Sequence, residues 1–255
     1  MIKIFLLLLF LVNTSSFPQE LYDEIFKEFG VNGSIIIYDL NNDMATYYNY
    51  KRLDSVFLPA STFKIFNSLV ALETGVIKDE NEIIKWDGVD RGWSSWNKDH
   101  NLRSAIKVSA VWFYQELARR IGEERMQKFI NIVDYGNRNI GGGIDMFWLT
   151  GDLRITPHQQ IDFLKRLYNN NLPFSQRAIN IVKDILILEE TDNYILRGKT
   201  GWADKPDPDI GWFVGYLEQN NNVYFFATNI DILKNEDSKK RVELTKAVLR
   251  SINLL

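Results

Sequence analysis

Ser61-Thr62-Phe63-Lys64 stands at the head of an apolar run. A helix beginning at Ser61 would place its hydroxyl and the Lys64 amine on one face, because residues three apart are neighbours on a helix. An amine in that position can take the hydroxyl proton, which is the minimum requirement for a serine nucleophile. However, Ser95-Trp96-Asn97-Lys98 and Ser104-Ala105-Ile106-Lys107 have the same spacing, and serine is also a common helix N-cap. The spacing alone therefore leaves Ser61 open as a nucleophile or a cap.

The composition is that of an ordinary globular protein and excludes several kinds of site. Among 255 residues, 30 lysines and arginines face 33 aspartates and glutamates, so the net charge of -3 does not indicate a nucleic-acid partner. The absence of cysteine excludes disulfides, thiolate nucleophiles and cysteine zinc sites. The two histidines, His100 and His158, lie far apart, which argues against a histidine metal motif and a Ser-His-Asp triad.

The N-terminus has the pattern of a secretory signal peptide. Lys3 precedes an unbroken apolar run over 4–12, and Thr14-Ser15-Ser16 supplies small residues for cleavage. This run is shorter than the roughly 20 residues that span a bilayer, so a membrane anchor is the weaker alternative. We predict a signal peptide at 1–16, cleavage near Ser16, export to the periplasm, and no stable membrane insertion after cleavage.

Hydrophobic periodicity predicts strands near both ends of the mature chain and helices between them. Predicted strands cover 34–38, 45–48, 194–199, 210–217 and 223–230. Predicted helices cover 19–29, 61–72, 104–121, 123–133 and 238–252, and two more begin after Thr156 and Ser175. We therefore predict one α+β domain at 17–255. The two ends of this domain, 17–58 and 190–255, would form an antiparallel sheet flanked by helices. A helical lobe, 59–189, would be inserted between them.

Two further motifs would meet Ser61 in a groove between the sheet and the helical lobe. Ser109-Ala110-Val111 falls in the helical region, and Lys199-Thr200-Gly201 closes the strand that begins at Tyr194. Together with Ser61 and Lys64 they make the three-part signature of serine acyltransferases that open β-lactams or cross-link peptidoglycan. Each part is weak alone, and their order on these element types is the specific signal.

The chain resembles the class D, or OXA-type, serine β-lactamases along essentially its whole mature length. Other matching segments are Tyr135-Gly136-Asn137, Phe147-Trp148-Leu149 and Trp96-Asn97-Lys98-Asp99-His100-Asn101-Leu102. The resemblance implies the penicillin-recognising, transpeptidase-like fold. It also implies a secreted enzyme, monomeric or homodimeric, that confers resistance by hydrolysing small-molecule β-lactams through a serine acyl-enzyme.

The resemblance also implies catalytic roles for five residues. Ser61 would attack the lactam carbonyl, and Ser109 would relay a proton toward the leaving nitrogen, with Lys199 acting electrostatically nearby. Lys64, N-carboxylated by carbon dioxide, would be the general base for acylation and deacylation, and Trp148 would donate its indole N–H to the carbamate. No metal and no cofactor besides this reversible carbamate is implied.

Six more residues would bind the substrate or shape the site. Thr200 and Arg241 would hold the substrate carboxylate, and Gly201 would let the strand backbone approach the ligand closely. The backbone N–H groups of Ser61 and Trp202 would form the oxyanion hole. Val111 and Leu149 would keep the surroundings of Lys64 apolar.

Two alternatives remain open. A penicillin-binding peptidase would share Ser61, Lys64 and Lys199, but Val111 with Trp148 argues against it, because an apolar site suits lysine carboxylation. A β-lactam sensor domain would follow several membrane segments, whereas this sequence has only the predicted signal peptide.

Overall fold

A computed structural model describes residues 17–255, with side chains from residue 20 onward. The predicted signal peptide at 1–16 lies outside the described residues. Within the described part of the chain, no helix is long and apolar enough to cross a membrane.

The strands form one antiparallel sheet of six strands in the order β2-β1-β6-β5-β4-β3. Their bounds are β1 (Gly33–Asp39), β2 (Met44–Tyr48), β3 (Ile187–Glu190), β4 (Tyr194–Ala203), β5 (Asp209–Gln219) and β6 (Asn222–Ile232). Pairing of β1 with β6 joins the N-terminal hairpin to the C-terminal strands. The prediction of one antiparallel sheet built from both chain ends is therefore confirmed, although β3 was not predicted.

Most of the helices lie between β2 and β3 in sequence. The helices are α1 (Phe17–Phe29), α2 (Tyr50–Leu53), α3 (Lys64–Glu73), α4 (Leu102–Val108), α5 (Val111–Ile121), α6 (Glu123–Val133), α7 (Pro157–Tyr168), α8 (Gln176–Ile185) and α9 (Lys240–Ser251). Short 3-10 turns cover Ala60–Phe63 and Asn235–Lys239. The predicted start of α7 is confirmed, since Thr156 caps it and Pro157 is its first residue.

One predicted helix, 104–121, is wrong as a single element. The chain forms α4 and α5 instead, and the break lies at Ser109 and Ala110. Ser109 has a left-handed backbone with φ 57°, and its N–H bonds back to Ile106 to close α4. No glycine or proline marks this break, so the sequence gives no local signal for it.

Apolar side chains pack against both faces of the sheet. On one face, α1 and α9 bury residues such as Phe26, Leu244 and Val248 against the strands. On the other face lies a larger core that includes Phe63 and Trp148. The strands are thus covered on both faces, and the 3-10 turn at Ala60–Phe63 belongs to the larger core.

Strand β4 approaches its neighbours closely because glycines lack a side chain. A Cβ at Gly201 would lie 3.1 Å from the carbonyl oxygen of Pro59, so β4 packs directly on the turn that carries Ser61. A Cβ at Gly215 of β5 would overlap sterically with the Arg197 carbonyl oxygen on β4. β3 pairs with β4 only up to Arg197, so the segment that begins at Lys199 has an unpaired outer edge among the described strands.

Replacing Gly215 by alanine therefore tests the spacing of β4 and β5. We expect Gly215→Ala to lower the free energy of unfolding by about 1–3 kcal/mol, because the added methyl group forces the two strands apart. Urea denaturation measures the change. The control Glu190→Ala, at an exposed position of β3, should stay within about 0.5 kcal/mol of the unsubstituted protein. Equal stability of Gly215→Ala and the control would contradict this account of β4.

Candidate active site

Ser61 lies inside the 3-10 turn that leads into α3, and Lys64 is the first residue of α3. The Lys64 Nζ and Ser61 Oγ atoms are 2.6 Å apart. The capping positions of the turn and of the helix belong to Pro59 and Phe63. The Ser61 hydroxyl therefore contacts an amine and does not cap the helix, which resolves the alternative that the spacing left open.

Lys64 is fully buried, with no exposed surface. Burial lowers the pKa of its amine well below the usual value, and the nearby charge of Lys199 lowers it further. The amine lies 5.4 Å from the ring centre of Tyr114, another fully buried residue. A neutral amine has a free electron pair, so Lys64 in this setting is able to accept a proton from Ser61.

Ser109 and Lys199 meet on the other side of the site. The Lys199 Nζ donates hydrogen bonds to Ser109 Oγ at 2.9 Å and to the Thr200 carbonyl at 3.0 Å. Burial lowers the pKa of Lys199 to about 7, with a smaller contribution from the charge of Arg241. The left-handed backbone of Ser109 is uncommon for serine, and such strain often marks a functional position.

Trp148 is fully buried, and its ring stacks on Phe63 at 5.2 Å between centroids. Its indole Nε1 has no hydrogen-bond partner among the described residues. Leaving a buried donor unpaired is unfavourable, so this atom is suited to a polar group within the core. A carboxylate carried on the buried Lys64 amine would be such a group. The Trp148 carbonyl also accepts a hydrogen bond from the Ala60 N–H at 3.0 Å.

A cavity of about 670 Å³ opens over Ser61. Its lining includes eight of the predicted site residues: Ser61, Ser109, Val111, Leu149, Thr200, Gly201, Trp202 and Arg241. Lys64, Trp148 and Lys199 do not line this cavity and lie buried next to it. The three sequence motifs, far apart in the chain, are thus brought together by the fold.

The rim of the cavity combines aromatic and charged side chains. Trp93 and Trp96 stack at 5.7 Å between centroids on one wall. Arg241, on the first turn of α9, is largely buried, which lowers its pKa to about 10 and leaves it cationic at neutral pH. The described residues contain no group of three or more histidine, cysteine, aspartate or glutamate side chains that could hold a metal ion.

Several residues of the site were not found by sequence reasoning. Tyr114 lies beside the Lys64 amine, and its hydroxyl contacts Ser68 Oγ at 3.2 Å. Tyr114 follows Val111 by three residues, so the two side chains share a face of α5. This helical spacing was the one sequence signal that Tyr114 lies near the site. Met146 and Thr150 line the cavity beside Leu149.

Comparisons with known proteins agree with this geometry. Residues 9–250 match the family described as the penicillin-binding protein transpeptidase domain. The chain is 45% identical to β-lactamase OXA-48 of Klebsiella pneumoniae over 230 residues, covering 90% of this chain and 87% of that enzyme. It is 42% identical to the probable β-lactamase YbxI of Bacillus subtilis, covering 91% of this chain and 85% of that protein.

Two solved structures have the same fold. A class D β-lactamase from Nostoc is 58% identical with a TM-score of 0.91, covering 92% of this chain and 99% of that one. FUS-1 (OXA-85), a class D β-lactamase from Fusobacterium nucleatum, is 46% identical with a TM-score of 0.90, covering 93% and 99%. With Ser61 at the cavity, paired with the buried Lys64, and with its motifs in the expected order, this chain belongs to the class D β-lactamases, hydrolases that act on the β-lactam amide bond.

Proposed function

We propose that this enzyme opens β-lactams through an acyl-enzyme on Ser61, with Lys64 as the group that takes the Ser61 proton. The observation that carries the proposal is the distance of 2.6 Å between Ser61 Oγ and the buried Lys64 Nζ. A nucleophile within hydrogen-bond reach of a base with a lowered pKa is the arrangement that covalent catalysis requires.

The acylation step assigns a role to each group around the cavity. Ser61 Oγ bonds to the lactam carbonyl carbon as its proton leaves, and the lactam C–N bond then breaks. The Ser109 hydroxyl passes a proton to the leaving nitrogen, and the Lys199 amine donates to that hydroxyl. The backbone N–H groups of Ser61 and Trp202 stabilise the oxyanion, an effect worth about 3 kcal/mol per donor in such sites.

Polar and apolar side chains that line the same cavity bind the substrate. Arg241 and Thr200 hold the carboxylate that β-lactam antibiotics carry, because a guanidinium offers paired donors to a carboxylate. Val111 and Leu149 keep the wall near Lys64 apolar.

The carbamate of Lys64 follows from the same burial. A neutral amine reacts with carbon dioxide to form an N–C bond and releases one proton, and burial of the Lys64 amine favours this neutral form by lowering its pKa. The Trp148 Nε1 donor fits such a carboxylate. When present, the carbamate supplies the general base of acylation and deacylation.

The N-terminal segment would determine where the enzyme acts. A signal peptide at 1–16, cleaved near Ser16, would export the domain at 17–255 to the periplasm, and the mature enzyme would be a monomer or homodimer.

We expect the enzyme to hydrolyse a chromogenic cephalosporin steadily. Absorbance should rise linearly over many turnovers, because the acyl-enzyme is released by water. A burst equal to the enzyme concentration without further turnover would instead identify a peptidase or sensor and reject the hydrolase.

Lys64→Ala should abolish deacylation and leave only slow acylation of Ser61. The physical reason is that no other described group lies within hydrogen-bond distance of the Ser61 hydroxyl. Mass spectrometry of the enzyme mixed with a β-lactam should show a persistent adduct. The matched control is Lys107→Ala, which changes the exposed lysine of one of the two other Ser-x-x-Lys segments and should turn over normally. Normal turnover of Lys64→Ala would refute the proposed base.

Activity should also depend on bicarbonate at mildly acidic pH. Acidification protonates the Lys64 amine and reverses carbamate formation, so activity falls as the pH falls. Bicarbonate restores it by mass action. Initial rates in degassed buffer, with and without added bicarbonate, measure the effect. Identical rates in both buffers would remove the support for a carbamate.

A further inference from the structure

The turn that carries Ser61 is held in a strained backbone conformation. Ala60, immediately before Ser61, has φ 48°, in the left-handed region that alanine rarely adopts, and it is fully buried. Such a conformation is typically unfavourable by about 1–3 kcal/mol and persists only when surrounding contacts enforce it. The contacts that enforce it therefore set the position of the nucleophile.

Three contacts from outside hold the backbone of this turn or of residues 57–59, which lead into it. The Trp148 carbonyl accepts from the Ala60 N–H at 3.0 Å. Trp212 Nε1 of β5 donates to the Leu58 carbonyl at 2.9 Å. Phe57 pairs with Ile155 through two backbone hydrogen bonds of 3.0 and 2.9 Å, just before α7 begins.

A fourth connection comes from a side chain inside α7. Gln160 is almost fully buried, and its Nε2 donates to Thr62 Oγ1 at 2.9 Å. Thr62 Oγ1 in turn donates to the Pro59 carbonyl at 2.7 Å, and the Thr62 N–H donates to the same carbonyl at 3.1 Å. Because the Gln160 amide occupies the acceptor side of the Thr62 hydroxyl, the hydroxyl proton is directed to Pro59.

The burial of Gln160 is itself unusual. Its Oε1 has no hydrogen-bond partner among the described residues, so the side chain is buried with one polar atom unpaired. A buried unpaired carbonyl is unfavourable, and leucine at this position would avoid it. Stability alone therefore gives no reason for glutamine here, whereas its N–H contact to Thr62 does.

We propose that Gln160 is a positioning residue for Ser61, acting through Thr62 and the Pro59 carbonyl to hold the strained turn. This inference rests on the proposed role of Ser61 as nucleophile. Gln160 and Thr62 lie outside the lining of the cavity, so they affect the rate of Ser61 attack and leave substrate binding unchanged. Displacement of a reacting group by about 1 Å can lower a rate by a large factor.

The test measures acylation in single-turnover experiments, which separate substrate affinity from the acylation rate constant. Gln160→Leu removes one hydrogen bond of the chain and Thr62→Val removes two, both at nearly constant volume. Each should lower the acylation rate constant about tenfold, or about 1.4 kcal/mol in activation free energy, with substrate affinity unchanged. Thr62→Ser keeps the hydroxyl and should stay within about threefold of the unsubstituted enzyme.

The matched control is Thr228→Val. Thr228 is fully buried and its hydroxyl contacts Thr245 Oγ1 at 2.6 Å, but it lies on β6 and outside the cavity lining. This variant loses a buried hydroxyl contact and should acylate at the normal rate. Gln160→Met replaces Gln160→Leu if the latter does not fold, as judged by thermal unfolding.

The outcomes separate this inference from the proposed function. Slower acylation in Gln160→Leu and Thr62→Val, with normal rates in Thr62→Ser and Thr228→Val, supports a positioning role. Normal acylation in Gln160→Leu and Thr62→Val overturns it while Ser61 remains the nucleophile. Absence of a Ser61 adduct in the unsubstituted enzyme would overturn the proposed function and this inference with it.

Discussion

The complete burial of the Lys64 amine beside the Ser61 hydroxyl is the constraint on which the rest of the site depends. Removing an ammonium group from water disfavours its charged form, so burial lowers the pKa of the Lys64 amine and favours the neutral form that can act as a base. The elements around it share this task. α5 contributes Tyr114, the loop before α7 contributes Trp148, and β4 brings a second lysine, Lys199, whose charge opposes protonation of Lys64.

Both serines of the site lie next to or within left-handed backbone. Ala60 precedes Ser61, and Ser109 itself has φ 57°. Left-handed conformations are unfavourable for residues with a Cβ, and native structures keep them where the surroundings enforce them. Here the surroundings are the larger core and the hydrogen bonds that reach the turn from β5, α7 and the Trp148 backbone. The stability of the sheet and helices thereby fixes the geometry of the reacting groups.

The architecture was predictable because its signals are local. Runs rich in β-branched and aromatic residues indicated five of the strands, and the sequence Thr156-Pro157 indicated the start of α7. β3 was missed because it is short and depends on pairing with β4. The break between α4 and α5 was missed because the left-handed residue is a serine, without a glycine or proline nearby in sequence.

The sequence motifs predicted which residues form the candidate site, but they predicted only some of the contacts that hold those residues in place. From the motifs we predicted that Ser61, Ser109 and Lys199 would meet in one groove. In the structure, Ser61 and Ser109 line the same cavity, and Lys199 donates a hydrogen bond to Ser109. The contact of Gln160 with Thr62 spans 98 positions of the chain, and no periodicity or spacing in the sequence predicts a contact at that separation.

The central claim is that the buried Lys64 amine is neutral and captures carbon dioxide. The most direct measurement is the ¹³C NMR spectrum of the enzyme equilibrated with ¹³C-labelled bicarbonate. We predict one protein-bound carbamate signal that disappears in Lys64→Ala and persists in Lys107→Ala. A spectrum of the unsubstituted enzyme without such a signal, in a sample that hydrolyses β-lactams, would contradict the account.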